Sequence, residues 1–205
     1  MNAPIETSEA ALSAALAETR AWVDRVVIGL NLCPFARAAR QRDRTRFVGC
    51  AATEPEALLA AFCDAARSLL EAPVEAVETT LLVHPFVLTD FDDYNDFLDV
   101  ADAALDALGA TGVLQVASFH PDYRFAGTAA DDVSNATNRS PHPLLQLLRE
   151  RSIEAAAAAW PDPAVIYEAN IATLQRLGPS GWQALRDACR ADARPRACSR
   201  SVNRP

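Results

Sequence analysis

Each of the chain's three histidines is followed by proline: His84-Pro85, His120-Pro121 and His142-Pro143. Imidazole is the side chain whose unperturbed titration lies nearest neutral pH, so a pair of imidazoles suits acid–base chemistry or metal binding. Proline biases the residue before it toward extended backbone, which places a histidine where a strand stops. His120 is the foremost catalytic candidate, with His84 as its companion and Asp122, two residues on, as the group that would orient its ring. The plainer role for each histidine is a ring hydrogen-bonded to loop backbone. A carboxylate from Asp122, Asp131 or Asp132 beside His84 and His120 would make a two-histidine, one-carboxylate metal site. That signal is weak, because aspartates in loops usually cap turns.

Arg124, Asn135, Asn138 and Arg139 have the chemistry of an anion pocket. A guanidinium grips a carboxylate or phosphate through two parallel hydrogen bonds, and a carboxamide fixes orientation. The plainer use of Arg139 is as a clamp on loop carbonyls or a partner of Glu150, and Arg149 reads as structural. Cys33 precedes Pro34 at an expected helix start, where partial positive charge favours a thiolate and a nearby imidazole would activate it further. Against that, free cysteines are commonly buried as small hydrophobes, and Leu30, Leu32 and Phe35 surround this one.

Composition removes several alternatives. The 205 residues carry 19 basic and 27 acidic side chains, a formal charge of −8 that disfavours nucleic-acid binding. Every basic residue is arginine, so Schiff-base chemistry and a P-loop lysine are excluded. Five cysteines without C-x-x-C spacing support neither a disulfide framework nor a zinc ribbon. No apolar run approaches the length of a membrane span, and the acidic N-terminus is unlike a signal peptide. The acidic run 90–99 lacks the glycine and ligand order of a calcium loop. A soluble, cytoplasmic, bacterial-type protein is expected, with no membrane or nucleic-acid partner; no cofactor or oligomeric state is indicated.

The elements that must position these residues alternate. Helical spacing of apolar residues predicts helices over 8–30, with Ser8 as N-cap, from Pro34, and over 54–71 and 90–109. Short β-branched or apolar runs predict strands at 46–52, 78–85 and 112–120. Strand–helix alternation implies right-handed crossovers and an α/β fold: a short three-stranded, mainly parallel sheet covered by several helices, in one helix-rich domain over 8–191. His84 and His120 then stand beyond the carboxyl ends of parallel strands, where ligands of open α/β sheets gather. The polar stretch 120–143 is too long for an ordinary connection and is read as an ordered, functional loop packed beside Cys33. Further helices are expected at 143–159, 163–177 (capped by Asp162) and 180–191, with a disordered, Arg-rich tail over 192–205.

Four segments, GLNLCPFA (29–36), LLVHPF (81–86), FHPDYRF (119–125) and TNRSPHPLLQLLRE (137–150), together resemble the bacterial domain-of-unknown-function family numbered 1415, over about residues 15–187. The resemblance implies a small bacterial protein and carries no mechanism. It also implies tyrosine as a common alternative to His142, and histidine as one to Gln146.

The leading expectation is an enzyme doing acid–base chemistry on a small anionic substrate. His120, Cys33, His84 and Asp122 would be catalytic, and Arg124, Asn135, Asn138 and Arg139 would bind substrate. The alternatives are a metal-dependent enzyme using His84, His120 and Asp131, and a non-catalytic ligand-binding or adaptor protein.

Overall fold

A computed structural model describes residues 3–157 and 163–193. One open sheet of four strands organises them: β1 (Thr45–Gly49), β2 (Thr79–Val83), β3 (Leu114–Phe119) and β4 (Leu144–Arg149), in the spatial order β1-β2-β4-β3. β1 and β2 pair in parallel, whereas β4 runs antiparallel to both β2 and β3. The three expected strands do share a direction, but the sheet is mixed and has a fourth member.

That fourth strand replaces the first part of the helix expected at 143–159. LLQLLR carries good helix formers, and a short apolar run cannot be assigned to helix or strand by periodicity alone. Position decides it. Phe119 pairs opposite Leu144, so the long connection after β3 returns the chain to the same end of the sheet and feeds it between β2 and β3. There Leu144, Leu145 and Leu147 are fully buried, because a central strand is covered on both faces. Helix resumes only at Glu150, in α5 (Glu150–Ala157).

The helices occupy both faces. α3 (Pro55–Glu71) and α4 (Phe91–Ala107) pack Leu58, Phe62, Leu69 and Phe97 against Leu82, Leu145 and Leu147. Asp90 caps α4 by accepting the N–H groups of Asp92 and Asp93, as expected from its position. On the opposite face, α1 (Ala3–Trp22), continued by a π-helical turn over Val23–Ile28, packs with α6 (Pro163–Ala193) against Leu81, Val83 and Leu144. α1 begins well before Ser8, which is therefore interior and not its cap. It ends at Gly29, where a Cβ would collide with the Arg25 carbonyl. α2 (Pro34–Gln41) starts on proline, as anticipated. α6 combines the last two expected helices across a break at Gly178, whose φ of 68° suits glycine. The Asp162 cap and tail residues 194–205 lie outside the described residues.

Candidate functional site

β2 and β3 end side by side with the first residue of β4, and His84 and His120 follow them directly. Both imidazoles are fully buried, on the face covered by α3 and α4. The Tyr94 ring of α4 contacts both, at centroid distances of 5.9 Å to His84 and 5.1 Å to His120. Each ring is tied to backbone. His84 Nδ1 lies 3.0 Å from the Val87 carbonyl, to which it can only donate. The Asp122 N–H donates to His120 Nδ1 at 3.1 Å, which leaves Nε2–H to donate to the Leu88 carbonyl at 3.3 Å. Burial disfavours the charged forms: the His84 pKa is pushed down to about 4, His120 is lowered, and the Tyr94 hydroxyl is raised. His84 Nε2 is buried without a hydrogen-bond partner among the described residues. Asp122 thus orients His120, but through its amide and not its carboxylate.

The 120–143 loop is held by its own polar groups. Buried Asn135 accepts from the Phe125 N–H at 3.0 Å and the Thr128 hydroxyl at 2.7 Å, and donates to the Ala129 carbonyl at 2.8 Å. Arg139 donates to the carbonyls of Tyr123 and Ala130 at 3.1 and 2.6 Å. Arg124 pairs with Asp92 at 3.2 Å and lies over the Phe91 ring. Asp132 caps the 3-10 turn Val133–Thr137 by accepting the Ser134 N–H. The expected anion-binding quartet is therefore dispersed, with Asn135 engaged inside the loop, Arg139 clamping it and Arg124 tied to α4. Among the described residues no three His, Cys, Asp or Glu side chains gather as a metal set; His84, His120 and Asp131 do not form one.

A cavity with a volume of about 760 Å³ lies on the opposite face of the sheet. Its floor is the outward side of Thr79 and Leu81 on β2, Gln146 and Leu148 on β4, and Ala117 and Phe119 on β3. α2 runs along it from Cys33 at one end to Arg42 at the other. Asn138 closes the Cys33 end and donates to the Ser118 carbonyl at 3.1 Å. The loop and Cys33 thus border the same space, as the sequence reading anticipated. Burial raises the Cys33 thiol above its ordinary pKa, outweighing the N–H groups of Phe35 and Ala36 that favour thiolate. Trp22, Val23, Val27 and Leu32 make this end apolar. Arg42 and Arg151 are exposed at the other end. Arg149, nearby, is engaged in donating to the carbonyls of Leu69, Ala72 and Val77, which bears out its structural reading.

Residues 14–184 match the model of a family described as Protein of unknown function (DUF1415). The chain belongs to that family. The description assigns no activity, and neither a curated protein nor a solved structure matches the chain. Among the described residues, no helix is long and apolar enough to cross a membrane.

In this DUF1415 protein, Arg42, Gln146, Arg151 and Asn170, none of them a candidate from the sequence, also line the cavity. Gln146 carried a signal: one polar residue inside LLQLLR is out of place on a buried strand, though it is unremarked on a helix. It donates to the Thr79 hydroxyl at 2.9 Å, which uses one of its amide hydrogens. Asn170 of α6 donates to the Leu32 carbonyl at 2.9 Å, tying the cavity wall to the turn before Cys33.

Proposed function

We propose that this protein binds a small organic anion with an apolar body in the cavity between the sheet and α2. The observation that carries the reading is the cavity itself. About 760 Å³ is the size of a small-molecule site, and its walls are mainly apolar with a few polar groups. Arg42 and Arg151 supply positive charge at one end of the cavity, where the Glu78 carboxylate is already paired with Arg44, while Gln146 and Asn138 offer carboxamides deeper in. The apolar body would lie toward Trp22 and Phe119, and the anionic head toward the arginines. This is the ligand-binding reading of the sequence, with the small anion retained and the anion-holding arginines relocated.

Acid–base chemistry is the second reading, and the buried, unpartnered Nε2 of His84 is what favours it. It is the weaker one. Both imidazoles lie on the sheet face away from the cavity, and His120 has both ring nitrogens engaged. Of the expected catalytic groups only Cys33 borders the cavity, and its raised pKa keeps it a thiol at neutral pH.

Calorimetric titration with straight-chain carboxylates of increasing length, beside the matching alcohols, tests the binding reading. Saturable binding of the carboxylates is expected, weakened about ten-fold by joint Arg42→Ala and Arg151→Ala substitution, roughly the loss of one charge-assisted contact. Equal affinity for acid and alcohol, or none for either, counts against it.

A further inference from the structure

A second, much smaller cleft lies outside that cavity, between the end of α1, residues 139–141 and the part of α6 after Gly178. Glu18, Trp22, Arg139, Ser140, Trp182 and Arg186 border it. Its volume of about 10 Å³ holds a single water-sized group.

The polar groups around this cleft do not balance. Arg139 and Arg186 are both half-buried and close enough to repel each other. The hydrogen bonds of Arg139 go to the neutral carbonyls of Tyr123 and Ala130. Asp122 and Asp132 attract Arg139 but form no ion pair with it. Arg186 makes no hydrogen bond or ion pair with any described residue. Glu18, the acid in the wall, is already shared between His142 at 3.2 Å and Arg190 at 3.4 Å. Trp22 adds a buried indole N–H with no acceptor among the described residues. Arg139, Arg186 and Trp22 thus border one small space; Arg139 has only neutral acceptors, and neither the Arg186 guanidinium nor the Trp22 indole has an acceptor among the described residues.

We infer that this cleft is a second binding site, for a carboxylate or phosphate group held between Arg139 and Arg186 with one oxygen inside the cleft near the Trp22 indole. An oxyanion there cancels the like-charge repulsion and gives each guanidinium a charged acceptor. The cleft is distinct from the larger cavity, although Trp22 borders both.

The test follows the Trp22 indole N–H resonance, assigned with Trp22→Phe, during separate titrations with phosphate and with acetate. Ionic strength is held constant with sodium chloride, so screening alone produces no change. A saturable shift is expected, with affinity at least ten-fold weaker in Arg186→Ala and unchanged in Arg42→Ala. Arg186 is the chosen variant because Arg139 also clamps the loop; thermal unfolding confirms that the variant is folded. Tighter binding of phosphate assigns a phosphate ligand, and tighter binding of acetate a carboxylate. No saturable shift with either anion, or equal affinity in Arg186→Ala, overturns the inference.

Discussion

The Tyr94 hydroxyl donates to the carbonyl of Leu144 across fifty residues of sequence, at 2.8 Å, and accepts the Phe119 N–H at 2.9 Å. A helix residue thereby joins the first residue of the inserted strand to the last residue of its neighbour. The same ring contacts both His84 and His120. The strand ends, the two imidazoles and α4 form one buried unit.

Tyr94→Phe keeps the ring and removes the hydroxyl, leaving a buried carbonyl and a half-buried N–H without that partner. A stability loss of about 1–3 kcal/mol is expected. Urea unfolding measures it. A loss below a few tenths of a kcal/mol would show that direct pairing of β3 with β4 compensates.

His84 sets a pH dependence. Its folded pKa is about 4, below the unfolded value near 6.5, so at intermediate pH the unfolded chain binds more protons. The stability from keeping His84 neutral is complete above about pH 6.5 and is lost as pH falls through 4. The full effect is on the order of 3 kcal/mol. Carboxylates titrate in the same range, so the informative quantity is the difference between wild type and His84→Gln. Parallel stability curves for the two proteins between pH 7 and 4 would rule this linkage out. His120 is lowered by the same cause and reinforces the trend.

Cys33 should alkylate slowly at pH 7, because burial holds it as the thiol and limits access. Mass-spectrometric rates at residue 33, compared with a free-thiol peptide, check this. A carboxylate in the cavity should slow the reaction further. A rate faster than the peptide's would restore Cys33 as an activated nucleophile.

Local chemistry explains what was legible in advance. Asp90 can cap a helix, Pro34 can start one and Gly178 can break one because those roles depend on a few neighbouring atoms. The strands at β1, β2 and β3 were visible for a similar reason: each is a short apolar or β-branched run bounded by turn or charged residues. From them followed the shared direction of the strands and the placement of His84 and His120 at one end of the sheet. The stretch 120–143 is expected to be ordered because its aromatic and arginine residues ill suit a flexible linker; what holds it in the structure is a set of Asp, Asn and Thr side chains that satisfy local backbone groups.

The type of the element at 144–149 was decided by tertiary structure, since its leucines serve a buried strand as readily as a helix. Much followed from that one assignment. An antiparallel β4 between β2 and β3 puts Gln146 on the cavity floor, separates the histidine-bearing strands and makes the long loop their return connection. The use of each arginine was likewise not written locally. Arg139 faces loop carbonyls, Arg149 the end of α3, and Arg42 and Arg151 line the cavity. A guanidinium has the same charge and donors in every setting, so its partner is chosen by which distant backbone the fold brings within about 3 Å. The sequence determined which groups were available; the packing of residues far apart in the chain determined which of them meet.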